Sequence, residues 1–226
     1  MDKMRVRGGK KLSGRVTASG SKNSALPILF SCLLADGEHV FHNVPGLKDI
    51  ESTAELLTHL GCKITRDGHT MRIHVSRPST LEAPYDLVRK MRASILCLGP
   101  MLTKYGEAKV SLPGGCAIGT RPINLHLDGM KILNAEITTD SGYVYAKGQL
   151  KGAPILFESP TVGGTENVMM AAALAKGKTV IENAAKEPEI VDLADYLIKM
   201  GAKIKGAGTS IIEIEGVEKL KPSTHT

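Results

Sequence analysis

The chain has 226 residues and a mass of 24.1 kDa, with 42% hydrophobic and 23% charged residues. These values exclude a disordered tract or a coiled coil and suit one large domain or two small ones. Aromatic residues are only 4%, with no tryptophan, and the net charge of +6 comes from 29 basic and 23 acidic residues that are interspersed. The core must therefore rest on Leu, Ile, Val, Ala and Met, and the charge suits an anion-binding or ordinary solvated surface better than a nucleic-acid stripe.

In chain order, Met1-Asp2-Lys3-Met4-Arg5 has no apolar core and no small-residue cleavage site, unlike a signal peptide. Apolar runs such as Ala25–Ala35 are too short to span a membrane. A cytoplasmic protein with no membrane or nucleic-acid partner is expected.

An internal repeat follows. Val40, Val110 and Val180 each open a predicted strand and are evenly spaced along the chain. Gly37, Gly106 and Gly177 precede them as helix stops, and the apolar segments Ala25–Ala35, Ala93–Thr103 and Asn167–Ala175 read as a first helix in each copy. A second, amphipathic helix carries Ile50, Thr53, Ala54 and Leu57; then Ile123, His126, Leu127 and Met130; then Ile190, Leu193, Ala194 and Leu197. Cys62, Ala135 and Ala202 follow Ile50, Ile123 and Ile190 at one constant spacing, and a strand pair closes each copy. The fold class is α/β: three pseudo-threefold repeats of a βαβαββ unit. Parallel strands joined by helices put the helix N-termini at one end of the sheet, where anionic ligands bind.

Function is sought where the copies differ. At one fixed offset ahead of the strand valines stand Lys22, Arg92 and Val162, the last followed by Gly163-Gly164. Two cations and a glycine turn therefore open three equivalent helices, and the repeat predicts that they converge. The strand-to-helix connection has the same length from Val40 to Ile50 as from Val180 to Ile190, but it is longer from Val110 to Ile123. The excess falls in Leu112-Pro113-Gly114-Gly115-Cys116-Ala117-Ile118-Gly119-Thr120-Arg121-Pro122, a candidate lid on the same rim. Cys32, Cys62 and Cys97 lie in apolar positions and read as core. Cys116 alone sits in a glycine loop beside cations, which suits a thiolate or a proton donor. His126 reads as a satisfied, semi-buried histidine, with loop placement as a secondary role.

Gly20-Ser21-Lys22-Asn23-Ser24-Ala25, Met91-Arg92-Ala93-Ser94, the Cys116 loop and Arg121-Pro122-Ile123-Asn124-Leu125-His126 resemble the UDP-N-acetylglucosamine 1-carboxyvinyltransferase family, from residue 1 to about 220. The resemblance implies an inside-out α/β barrel, one of the family's usual two domains. It also implies transfer of enolpyruvyl from phosphoenolpyruvate to UDP-N-acetylglucosamine with release of phosphate, the first committed step of peptidoglycan synthesis. By that resemblance Cys116 is the proton donor and the target of the epoxide fosfomycin, and Lys22 is the second catalytic residue. Lys22, Asn23, Arg92 and Arg121 hold phosphate and carboxylate groups. Arg121, Pro122, Ile123, Asn124 and Leu125 grip the uridine end, and Ser159, Pro160, Thr161, Val162 and Gly163 cradle the diphosphate. No metal or organic cofactor is implied. The family carries Asp where Asn124 stands.

The resemblance also divides the chain. Residues 22–226 form the Cys-loop domain, with copies at about 22–80, 81–150 and 151–220. Met4-Arg-Val6-Arg-Gly8 with Leu12 echoes Ile212-Glu-Ile214-Glu-Gly216 with Leu220 at a constant offset. Residues 1–21 are thus expected to be a closing strand that belongs to the family's second domain, a separate C-terminal half. The competing expectation is a non-catalytic module that binds a UDP-sugar or another anion.

Overall fold

The protein, described at residues 3–112 and 123–226 by a computed structural model, builds one four-stranded sheet from each copy. Copy one runs α1 (Lys22–Ser31), β1 (Gly37–Phe41), α2 (Lys48–His59), β2 (Lys63–Asp67) and β3 (Thr70–Val75). Copy two runs β4 (Glu82–Ala83), a short α3 (Tyr85–Val88), a 3-10 turn (Arg92–Cys97) leading into α4 (Leu98–Tyr105), β5 (Glu107–Ser111), α5 (Asn124–Ile132), β6 (Glu136–Asp140) and β7 (Tyr143–Lys147). Copy three runs β8 (Pro154–Leu156), α6 (Val162–Ala172), β9 (Lys178–Glu182), α7 (Pro188–Met200), β10 (Lys203–Lys205) and β11 (Ile211–Glu215). A last strand, β12, is Thr224–His225.

The sheet orders are β12-β1-β3-β2, β4-β5-β7-β6 and β8-β9-β11-β10, one topology three times over. Two of the three repeat valines share a register: Val40 and Val180 meet the first residue of their leading strands and are half-buried, whereas Val110 sits one residue further along and is fully buried. Val40 pairs with Thr224, Val110 with Ala83 and Val180 with Pro154, each across a parallel ladder. The valines stand inside their strands rather than opening them. In copy one, pairing begins at Gly37 opposite Val75, which brings the glycine into the ladder. Of the three predicted glycine stops, only Gly106 caps a helix directly, in the left-handed conformation with φ of 80°. Ile123 likewise stands just before α5 rather than inside it.

The first helix of each copy is central. Leu26–Ser31, Ser94–Leu102 and Gly164–Ala172 are buried throughout, as helices apolar on every side must be. The sheets lie outside them with alternating burial along β3, β7 and β11, so one face packs inward and the other meets water. This is the expected inside-out arrangement.

The leading strand of the first sheet comes from β12, at the opposite end of the described chain, and not from residues ahead of α1. His225 anchors it. Its Nε2–H donates to Asp192 at 2.8 Å, Lys199 Nζ donates to its Nδ1 at 3.1 Å, and its ring meets the Tyr196 ring edge-on. Residues 3–19 carry no helix or strand and are exposed, with Met4, Val6, Leu12 and Val16 at least 80% open. The echo of the Ile212–Leu220 pattern therefore forms no ladder here: β11 pairs with β9 and β10, and the early segment faces water.

This asymmetry sets an expected outcome for two truncations followed by circular dichroism on heating. Removing residues 222–226 uncovers Phe41 and Tyr196 and strips β1 of a neighbour, so the unfolding midpoint falls. Removing residues 3–17 leaves the midpoint unchanged.

Candidate functional site

The three predicted helix starts are where the sequence placed them: Lys22 opens α1, Arg92 opens the 3-10 turn and Val162 opens α6. These first elements pack on one another at the centre of the domain. Lys22 is half-exposed, with its ammonium 2.7 Å from Asp49 in the first turn of α2, and Asn23 beside it is exposed. The pair is worth only about 0.2–1 kcal/mol, typical of exposed ion pairs, so an incoming anion can compete for the lysine.

Arg92 is half-buried. Its charge bears on His126, on the first turn of α5, which is 8% exposed. His126 in turn lies against the start of α6: a Cβ on Gly163 would stand 3.0 Å from its Cε1 and 3.2 Å from its Nε2. Gly163 thus leaves room for the imidazole to pack closely against the helix start. Gly164 is required for its neighbour Thr161, whose Cγ2 a Cβ there would meet at 2.4 Å. Thr161 caps α6 by accepting the Gly164 N–H at 3.2 Å, while the N–H groups of Val162 and Gly163 open the helix without intrahelical acceptors. A guanidinium, an imidazole and the positive end of a buried helix therefore meet at one rim, a setting that attracts anionic oxygens.

Behind the rim lies a residue that the sequence comparison passed over. Asn167 is fully buried in the second turn of α6 and bonds to three other segments. Its Oδ1 accepts the Gly99 N–H at 2.8 Å, and its Nδ2 donates to Ile95 O at 3.0 Å and to His126 Nδ1 at 3.1 Å. Burial first, and then the Arg92 charge, hold His126 down to about 4, so it is neutral near pH 7. Adjacent Glu166 is 4% exposed and pushed up to about 8, by burial first and then by Glu189 and Glu187 at the start of α7. A signal for both residues was present in the repeat. The equivalent positions are Leu26 and Leu96 for Glu166, and Pro27 and Cys97 for Asn167, so α6 alone places polar groups there.

Of the remaining expected residues, Ser159, Pro160 and Asn124 are exposed, and Ile123, Leu125, Thr161, Val162 and Gly163 are half-buried. Cys116, Arg121 and Pro122 lie outside the described residues. The other three cysteines are buried free thiols, as their apolar positions implied. Burial pushes Cys97 up to about 12 and raises Cys32 strongly. Among the described residues, no helix is long and apolar enough to cross a membrane.

A threefold α/β repeat with a rim of helix N-termini defines one half-molecule of an enolpyruvyl transferase fold. The chain belongs to the EPSP synthase (3-phosphoshikimate 1-carboxyvinyltransferase) family, whose pattern matches residues 6–226. It is 66% identical over 224 residues to the UDP-N-acetylglucosamine 1-carboxyvinyltransferase of Bdellovibrio bacteriovorus, a span that covers 99% of this chain and 54% of that protein. The same-named protein of Geotalea daltonii is 60% identical over 226 residues, covering 100% and 54%. Among solved structures, the enolpyruvyl transferase NikO of Streptomyces tendae superposes with a TM-score of 0.82 at 24% identity, over 97% of this chain and 52% of that one. EPSP synthase of Acinetobacter baumannii gives a TM-score of 0.75 at 19% identity, over 93% and 48%. At these identities the two structures establish the fold alone. The chain spans about half the length of the relatives it matches.

The raised Glu166 carboxyl has a consequence for stability. The folded chain keeps a proton on it up to about pH 8, whereas the unfolded chain releases it at about pH 4.3, so this group lowers stability as pH rises through that window. Glu166→Gln should flatten the decline of the unfolding midpoint between about pH 5 and about pH 8. Parallel profiles for the two proteins, measured by calorimetry, would exclude this contribution.

Proposed function

We propose that this chain forms the UDP-sugar-binding and Cys-loop wall of an enolpyruvyl transferase acting on phosphoenolpyruvate and UDP-N-acetylglucosamine, in peptidoglycan synthesis in the cytoplasm. The observation that carries this is the meeting of Arg92, His126 and the start of α6. Oriented N–H groups and a fixed cation suit the diphosphate of a nucleotide sugar. Ser159, Pro160, Thr161, Val162 and Gly163 line its approach. Ile123, Asn124 and Leu125, with Arg121 and Pro122, take the uridine end. The Asn at 124 offers both a donor and an acceptor where the related enzymes place a carboxylate.

In the proposed reaction Lys22, Asn23, Arg92 and Arg121 hold the phosphate and carboxylate of phosphoenolpyruvate. Cys116 gives its proton to the enol methylene carbon, and cationic character develops on the adjacent carbon. The sugar 3′-hydroxyl attacks that carbon and loses its proton. Loss of phosphate, with removal of a methyl proton, then restores the double bond. Anion clamps that strengthen as charge shifts, together with a positioned acid, supply what these steps require. The base that takes the hydroxyl proton is assigned to a second, separately folded half. The chain alone is accordingly proposed to bind substrate without turnover.

Two measurements test this. Phosphate release should be undetectable with the chain alone and appear when the remaining half of a related transferase is added; release by the chain alone would overturn the division of labour. Fosfomycin in the presence of UDP-N-acetylglucosamine should alkylate Cys116 and spare Cys32, Cys62 and Cys97, which are buried. Mass spectrometry reads the outcome, and equal labelling of all four would remove Cys116 from the mechanism.

A further inference from the structure

We infer that Asn167 is a positioning residue for the diphosphate site: it fixes His126 as the Nε2–H tautomer, so that a neutral N–H donor, rather than a lone pair, faces the start of α6. The inference rests on the proposed binding of a nucleotide diphosphate at that rim.

The hydrogen bonds determine the tautomer by elimination. The Gly99 N–H can only donate, so the amide atom 2.8 Å from it is the Asn167 oxygen. The other amide atom is then the NH2 group. One of its hydrogens goes to Ile95 O, which can only accept, at 3.0 Å. The second points at His126 Nδ1, 3.1 Å away. That nitrogen must accept, which leaves the single proton of the neutral ring on Nε2. A proton on Nδ1 would face an N–H donor in a buried site. The Asn167 amide, burial and the Arg92 charge therefore all oppose the imidazolium.

The Nε2 edge is the one that abuts Gly163, as the 3.2 Å approach to a Cβ there requires. No acceptor bonds to Nε2 among the described residues. The N–H of this side chain, 8% exposed as a whole, thus lies beside the helix turn whose first N–H groups also lack intrahelical acceptors. The three donors share one polarity, which suits the oxygens of a phosphoanhydride. A neutral imidazole adds a donor there without adding a charge for Arg92 to repel. Asn167 itself is remote from this ligand and acts through the ring.

The substitution Asn167→Asp keeps the shape and the acceptor for Gly99 but replaces the NH2 group with a second oxygen. That oxygen draws a proton to His126 Nδ1, giving the other tautomer or the imidazolium. Two readouts on the full chain test this, with uridine diphosphate as the probe. Imidazole nitrogen NMR of the unsubstituted protein near neutral pH should show His126 protonated on Nε2 alone, and the Nε2 resonance should move on adding uridine diphosphate. In Asn167→Asp the Nδ1 signal should become that of a protonated nitrogen, and the dissociation constant by calorimetry should rise at least about tenfold.

An Nδ1–H tautomer or an Nε2 resonance indifferent to the nucleotide, both read on the unsubstituted protein, would overturn the inference even if the variant fails to fold. Unchanged affinity in a folded variant whose tautomer has switched would overturn it while leaving the proposed function standing. No binding of uridine diphosphate by the unsubstituted protein would overturn both.

Discussion

The architecture depends on one constraint: three helices must be buried on every side. A sheet can give one face to water, but α1, α4 and α6 have no outward face to give. Their interiors are therefore built from apolar and small residues, and the surrounding sheets exist to exclude water from them. A helix enclosed in this way offers the outside only its ends. Copies two and three join parallel strands through their first helices, and copy one reproduces the arrangement with β12 as the parallel partner of β1, so the N-terminal ends, with their unpaired N–H groups and positive dipole ends, face the same way. The electrostatic setting of the proposed anion site is in this sense a by-product of the packing, to which side chains such as Arg92 add charge.

Polar residues inside such a helix are costly, about 1–3 kcal/mol for each buried polar group left unsatisfied. Asn167 avoids the cost by using its oxygen and both amide hydrogens, and in doing so ties α6 to the 3-10 turn, α4 and α5. Glu166 avoids it differently, by retaining its proton. These neighbours break the apolar rule at the helix that also carries the glycine pair. The local departures from good core design thus fall beside the rim and nowhere else along α6 except Thr165, whose hydroxyl accepts the Ala185 N–H.

Much of this was legible in the sequence because the repeat supplied an internal alignment. The offset from the strand valines located the starts of three helices to the residue, and each valine does lie between a parallel and an antiparallel neighbour, although Val110 stands one residue further along its strand than the register of Val40 and Val180. What escaped was of two kinds. Strand β12 is very short and pairs with a strand at the far end of the chain, so neither periodicity nor local composition announces it. The His126–Asn167–Arg92 cluster joins three segments whose sequence separations carry no pattern. Only comparison of helix interiors, copy against copy, would have marked Asn167 against Pro27 and Cys97. The pairing of Lys22 with Asp49 was invisible for the same reason, since it is made between helices.

The closure by β12 bears on how the domain and its early segment relate. Three sheets of identical topology need three leading strands, and copies two and three supply their own in β4 and β8. Copy one takes its leading strand from residues 224–225, so the first sheet is complete without residues 3–19. The chain enters this domain at α1 and finishes it at β12, with both crossings beside one another: Gly20, Ser21 and Ser24 line the same small cavity as Asp192, His225 and Thr226. His225, gripped by Asp192 and Lys199, fixes that junction. The early segment leaves from it with its apolar residues in water, although those residues alternate as they would on a strand with one buried face. Met4 and Val6 therefore have the pattern of a strand but no sheet to join within this domain, whose own strand positions are already filled.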